Sequence, residues 1–186
     1  FHQQALKISR EIGDRRGEAC DLGNLVNVYY CLGDYERAIK FYDQQLDIVR
    51  KIGDSRGEGN ALGNLGLVYH YLGEYQQAIN FHRQYLNIAK QIGDRRGEGN
   101  ALCNLGATYL KLQRYEEALE NLQISLKMFQ EMGCRNGEAE ALFRVAEVYY
   151  QTNQLPQSQE SCERALEIAR ELGIPLVKEC EDLMLK

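Results

Sequence analysis

Proline is scarce in this chain of 186 residues, with two in all, while 44% of residues are apolar. That combination argues against disorder and suits a folded helical chain. Basic excess is also missing. The formal net charge is −5, which argues against a nucleic-acid partner, because phosphate binding needs a net basic face. No apolar run approaches the roughly 18–20 residues that span a bilayer, and no secretory signal is present. No membrane association is therefore expected. The six cysteines stand at 20, 31, 103, 134, 162 and 180, and none forms Cys-x-x-Cys. The three histidines do not lie near them at metal-ligand spacing. Small reduced thiols in a cytoplasmic protein are the simplest reading, and the lack of any Asn-x-Ser/Thr sequon agrees with it. No metal and no cofactor are expected.

Catalytic patterns are lacking as well. Gly57-x-Gly59-x-x-x-Gly63 resembles a phosphate loop only loosely. It has no Lys-Ser/Thr, and a helix precedes it where a strand is required. No serine, cysteine or histidine constellation stands out. His82 is replaced by Tyr42, Leu122 and Cys162 at equivalent positions, which points to packing and not to ligation. The chain is not expected to be an enzyme.

What is present is repetition. Gly13, Gly53, Gly93 and Gly133 each open a related stretch, at steps of forty residues without insertion. The fullest copy is Gly93-Asp-Arg-Arg-Gly-Glu-Gly-Asn-Ala-Leu-Cys-Asn-Leu-Gly106. A fixed period in this range marks a stacked repeat architecture. Each copy reads as a helical hairpin. Glycine ends one helix in the left-handed conformation and aspartate caps the next. Cys134 replaces that aspartate in the fourth copy, so its cap is weaker. In the second full copy, Leu62, Leu65, Tyr69 and Leu72 share one face of a helix expected from about Arg56 to Leu72. Gly66 on that face lets a neighbouring helix come close. After Gly73-Glu74 a second helix is expected from about Tyr75 to Ile92.

The expected array comprises residues 1–12, the second helix of a truncated repeat; full repeats at 14–52, 54–92, 94–132 and 134–172; and a capping helix at 174–186, with Pro175 where a helix starts. Because Phe1 falls inside a repeat, the chain reads as a piece of a longer protein. The helix at 1–12 is then expected to keep a sticky apolar edge available for self-association.

Leu62, Leu65-Gly66, Tyr69, Gly73-x-Tyr75 and Ala78 resemble the tetratricopeptide repeat. The third copy matches with Leu102, Leu105-Gly106, Tyr109, Tyr115 and Ala118. The first has Leu22, Leu25, Tyr29, Gly33-x-Tyr35 and Ala38, and the fourth degrades its turn to Asn153-Gln-Leu155. The Gly-Asp-Arg-x-Gly-Glu start resembles a forty-residue subclass found in Pins-type adaptors and bacterial multi-repeat proteins. The resemblance implies an all-α fold, an α-solenoid in which antiparallel hairpins form a right-handed superhelix. It also implies that the outer face of each first helix lines a concave groove.

That face carries Asn60, Asn64, Leu67 and Tyr71 in the second copy. The first copy has Cys20, Asn24, Asn27 and Cys31; the third has Asn100, Asn104, Ala107 and Lys111; the fourth has Glu140, Arg144, Glu147 and Gln151. Asparagine is a poor mid-helix residue, and its amide offers donors and an acceptor that suit a peptide backbone. The expected peptide-binding set is therefore Asn24, Asn27, Asn60, Asn64, Tyr71, Asn100, Asn104, Lys111 and Arg144. Asn24, Asn64 and Asn104 would form a ladder, and Arg144 would anchor an acidic group. The alternative is that near-identical copies inherited these amides and they meet only water. Gly23, Gly63 and Cys103 beside them either leave room for a ligand or serve packing. Tyr30, His70, Leu110 and Tyr150 either edge the groove or pack between repeats. The arginines of the turns either attract acidic ligands or pair with Glu18, Glu58, Glu98 and Glu138. The functional expectation is a non-catalytic scaffold binding an extended peptide of a protein partner; a structural spacer or self-association array is the alternative.

Overall fold

The protein is described by a computed structural model covering residues 2–185. Phe1 and Lys186, expected at the ends of the first and last helices, lie outside the described residues. Among those residues there are ten helices and no strand. They are α1 (His2–Ile12), α2 (Arg15–Cys31), α3 (Tyr35–Lys51), α4 (Ser55–Tyr71), α5 (Tyr75–Gln91), α6 (Arg95–Lys111), α7 (Tyr115–Glu131), α8 (Arg135–Gln151), α9 (Leu155–Leu172) and α10 (Leu176–Met184). The chain divides after Asp94 into two units. In the first, α2 pairs with α3 and α4 with α5, α1 packs on α2, and α3 packs on α4. In the second, α6 pairs with α7 and α8 with α9, α7 packs on α8, and α10 packs on α9.

The recurring Gly-Asp-Arg-x-Gly-Glu stretch is a junction between consecutive hairpins. Gly53 takes φ +70° and ends α3. The Asp54 amide then donates back to the Val49 carbonyl at 2.9 Å. The Asp54 carboxylate caps α4 by accepting from the Gly57 amide at 2.9 Å, a contribution of about 1 kcal/mol. Asp14 does the same for Gly17 at 2.9 Å, whereas Cys134 makes no side-chain cap bond. The second glycine permits close approach of the preceding helix. A Cβ at Gly137 would lie 2.6 Å from the Phe129 ring. The closing glutamate reaches back eight residues across the turn. Glu18 accepts from Arg10 Nε at 2.8 Å, Glu58 from Arg50 Nε at 2.7 Å, and Glu138 from Gln130 Nε2 at 3.2 Å. Burial works against the Glu18 carboxylate, but bonds from Arg10 and Arg15 outweigh it and hold its pKa below the ordinary value.

Leu62 and Leu65 are buried in the core, together with Ala61 and Val68. Leu72 departs from the expected stripe. The helix ends at Tyr71, so Leu72 becomes the C-cap residue and is exposed. Tyr69 stacks on Phe81 at 5.2 Å, as Tyr29 does on Phe41 at 5.3 Å. Gly66 serves its own hairpin: a Cβ there would lie 2.4 Å from the His82 ring. Gly106 receives Leu122 in the same way, also at 2.4 Å.

His82 is fully buried and neither ring nitrogen has a hydrogen-bond partner. Burial, with a smaller effect of His70, pushes its pKa down to about 3. The unfolded chain binds this proton near pH 6.5. Stability from this site is therefore full above about 6.5 and drains as pH falls from there toward 3. His82→Leu, which copies Leu122, should raise the urea midpoint and flatten its decline between pH 6.5 and 4. An equally steep decline in the variant would refute the assignment. A second test concerns the turns. Gln113 and Asn153 hold φ values of 60° and 58°, where two other copies have glycine. Gln113→Gly should stabilise by about 1 kcal/mol, and Asn153→Gly by less, because asparagine tolerates this conformation better. Urea titration of the three proteins measures both.

Candidate functional site

In the first unit the outer faces of α2 and α4 carry uncharged polar groups that reach solvent. Asn24, Asn27, Cys20 and Cys31 are exposed on α2, and Asn60, Asn64 and Tyr71 on α4. Helical periodicity produces this arrangement, since the same turns bury Leu22, Leu25, Leu62 and Leu65 on the opposite side. Asn64 is not idle: its side chain hydrogen-bonds the hydroxyl of Tyr42 on α3. Burial pushes the Tyr42 phenol up to about 12, and the Asn64 bond only moderates the rise.

An aromatic network stands at the carboxyl ends of these helices. Tyr30 and Tyr71 share a hydrogen bond, and their rings meet at 5.8 Å and 67°. Tyr30 meets Tyr35 at 5.9 Å, and His70 meets Tyr71 and Tyr75 at 5.7 and 5.6 Å. Burial and the Tyr71 bond raise the Tyr30 pKa. Tyr71 is nonetheless 59% exposed. At the other end, Arg16, Cys20, Gln45 and Asn60 line a cleft of 420 Å³ floored by Ala19, Val49 and Ile52.

The corresponding face of the second unit is charged. Asn100 and Lys111 are exposed on α6, with Asn104 half-buried. On α8, Arg144 lies between Glu140 and Glu147, donating to each at 2.8–2.9 Å, and its guanidinium stands 5.3 Å over the Phe143 ring. Burial opposes its charge, but the two carboxylates prevail and leave its pKa above the ordinary value. The fork is thus occupied on both sides and the cluster carries net negative charge. An acidic ligand group would have to displace a carboxylate from it. The Glu-x-x-x-Arg-x-x-Glu spacing carries that signal in the sequence. Lys111 and Glu147 also line a cleft of 200 Å³ with Leu110, Gln113, Tyr115 and Gln151.

Gly63 and Cys103 do not open onto ligand space, whereas Gly23 is half-buried beside Gln45, which lines the cleft of 420 Å³. A Cβ at Gly63 would lie 2.8 Å from the Tyr85 ring of α5, and one at Gly23 would lie 2.9 Å from Gln45 Nε2 of α3. Cys103 and Phe143 are buried. Gly63, Cys103 and Phe143 serve packing. The turn arginines divide. Arg15, Arg95 and Arg135 pair with Glu18, Glu98 and Glu138 at 2.8, 3.9 and 2.9 Å. Among the described residues no group of three or more histidine, cysteine, aspartate or glutamate side chains is arranged to hold a metal ion. Among the same residues no helix is long and apolar enough to cross a membrane.

Residues 19–91 and 93–173 match the tetratricopeptide repeat family. The chain belongs to that family, whose members act as protein-interaction scaffolds. No curated protein matches it. Three solved structures share the fold. Aspartyl phosphate phosphatase F from Bacillus subtilis aligns over 98% of this chain and 48% of its own, at 16% identity and a TM-score of 0.88. A signal-transduction ATPase with numerous domains and a tetratricopeptide repeat sensor, from Pyrococcus horikoshii, aligns over 96% and 28%, at 25% identity and a TM-score of 0.80. A Rap protein complexed with competence and sporulation factor aligns over 83% and 43%, at 20% identity and a TM-score of 0.76. The chain spans less than half the length of each of these proteins. The all-α solenoid class expected from the sequence is the one observed.

The packing role of Gly63 is open to direct measurement. Gly63→Ala should lower stability by about 1–3 kcal/mol through overpacking against Tyr85. An unchanged urea midpoint would return this position to the open face.

Proposed function

We propose that this chain is a non-catalytic scaffold that holds an extended peptide segment of a protein partner against the outer faces of its first helices. One observation carries the reading: the asparagines at 24, 27, 60, 64 and 100 are solvent-exposed despite their poor helix propensity. An extended backbone presents N–H and C=O groups that side-chain amides match without regard to sequence. Asn24, Asn27, Asn60 and Asn64 supply those amides in the first unit, with Tyr71 as an aromatic neighbour. Asn100 and Asn104 supply them in the second, with Lys111 and the Glu140–Arg144–Glu147 cluster as charged contacts. The net negative charge of that cluster favours a basic group on the partner over an acidic one. The sensor module of the Pyrococcus horikoshii protein and the factor-bound Rap protein support the reading by analogy of fold.

A second reading rests on α1, where Ile8 and Ile12 are 56% and 70% exposed. Such a face suits self-association, with the chain serving as a spacer. Light scattering across a concentration series separates the two readings: growing mass supports the spacer, and a constant monomer mass supports the adaptor.

The decisive experiment uses a peptide selected from a random library on the wild-type protein. Replacing Asn24, Asn64 and Asn104 together with alanine should leave the helical circular dichroism intact. Affinity should fall by about 100-fold, on the basis of about 1 kcal/mol for each hydrogen-bonding side chain. Tyr42→Phe is the control for the Asn64–Tyr42 bond and should bind within a few-fold of wild type. Unchanged affinity in the triple variant would remove the amides from the account.

A further inference from the structure

Two of the six cysteines stand together in the second unit, and nothing in the scaffold reading uses them. Cys162 lies on α9 and Cys180 on α10, at 1% and 0% exposure. The Cys162 thiol donates to the Cys180 backbone carbonyl, with Sγ 3.3 Å from the oxygen. The two side chains also hydrogen-bond each other. The two cysteines are therefore in direct contact where α10 packs on α9. Both cysteines are free.

The pair is not sealed off. A cleft of 260 Å³ reaches Cys162, lined by Tyr150, Leu155, Gln159, Leu183 and Met184 among others. The cleft admits a small molecule. The two thiols also differ. Of the two, only Cys162 lines the cleft, while the neighbouring thiol and burial push the Cys180 pKa up. Cys162 therefore meets an entering oxidant first, and its neighbour is placed to resolve the product.

We propose that Cys162 and Cys180 form a redox-sensitive dithiol that staples α10 to α9 when a hydroperoxide enters the cleft. The Cys162 sulfur attacks the terminal peroxide oxygen, the O–O bond breaks, and an alcohol leaves (water, for hydrogen peroxide). Cys162 is then a sulfenic acid. The Cys180 sulfur attacks the Cys162 sulfur, the S–O bond breaks, and water leaves with the thiol proton. The dithiol has lost two electrons and two protons, and the peroxide has been reduced to an alcohol and water. A cellular thiol reverses the state by exchange.

The consequence is local. Helix α10 is nine residues long, and its buried residues are Leu176 and Cys180. Closing a ring from residue 162 to residue 180 removes chain freedom from the frayed state of that helix. Oxidation thus adds a covalent tie to the packing that joins this helix to α9.

The test uses the full chain carrying Cys20→Ser, Cys31→Ser and Cys134→Ser, which removes the more accessible thiols. Hydrogen peroxide is applied, then quenched, and the protein is denatured, alkylated and digested with trypsin. The expected product joins the Cys162 peptide ending at Arg164 to the Cys180 peptide beginning at Glu179. In the native protein, tryptic cleavage after Lys178 should slow at least tenfold on oxidation and recover with dithiothreitol. Adding Cys180→Ser should abolish the cross-link and leave a dimedone-reactive Cys162. The proposal is overturned if both cysteines alkylate fully at a peroxide dose that oxidises Cys20 in the wild-type chain. Sulfinic acid at Cys162 with Cys180 still free, or cross-links between molecules in place of the internal one, would overturn it equally.

Discussion

Close approach of helices at glycine is the constraint on which the rest of the structure depends. Within a hairpin, a side chain from the second helix occupies the space where a first-helix Cβ would stand, as His82 does at Gly66 and Leu122 at Gly106. Between hairpins, Phe129 lies against Gly99 of its own repeat and Gly137 of the next. Helices this close bury their shared face fully, and each large side chain so buried contributes about 1.5–3 kcal/mol. The glycines cost helix propensity of about 1 kcal/mol each against alanine. Packing returns more than that, so a helix with as many glycines as α4 remains a helix.

The same constraint explains why the most conspicuous stretch of the sequence is structural. In Gly-Asp-Arg-x-Gly-Glu the first glycine makes a left-handed helix stop and the aspartate caps the next helix. The second glycine admits a close approach, and the glutamate ties back across the turn. The arginines of the stretch remain exposed, and Arg16 lines a cleft beside Cys20. The side chains that face solvent on α2, α4 and α6 include the less conspicuous asparagines at 24, 27, 60, 64 and 100. Their environment differs between units: uncharged amides and tyrosines in the first, and amides beside an Arg–Glu cluster in the second.

Periodicity made the helices, turns and caps legible, because each follows from residues within one turn of each other. Leu62 and Leu65 fell where a period of 3.6 puts them, and the missing cap at Cys134 followed from its side chain. Leu72 did not follow, because a pattern of apolar residues does not say where the helix stops. At Gly63 the sequence left packing and ligand space as alternatives, since the partner that decides between them, Tyr85, comes from another helix. The same holds for the bond between Asn64 and Tyr42, which joins residues of neighbouring repeats. Arg144 is a different case. Its two carboxylates were in plain sight at helical spacing, and weighing the three charges together would have shown an occupied guanidinium.

The ties from Arg10 to Glu18, Arg50 to Glu58 and Gln130 to Glu138 each join the end of one hairpin to the start of the next, over eight residues. Both partners of such a tie travel with the same junction. Duplicating or deleting a forty-residue segment cut within the helices, and not at the turns, therefore keeps donor and acceptor of such a junction together. Gene-level expansion and contraction of such an array is thereby made tolerable to the fold, and reach can evolve separately from the chemistry of the exposed face.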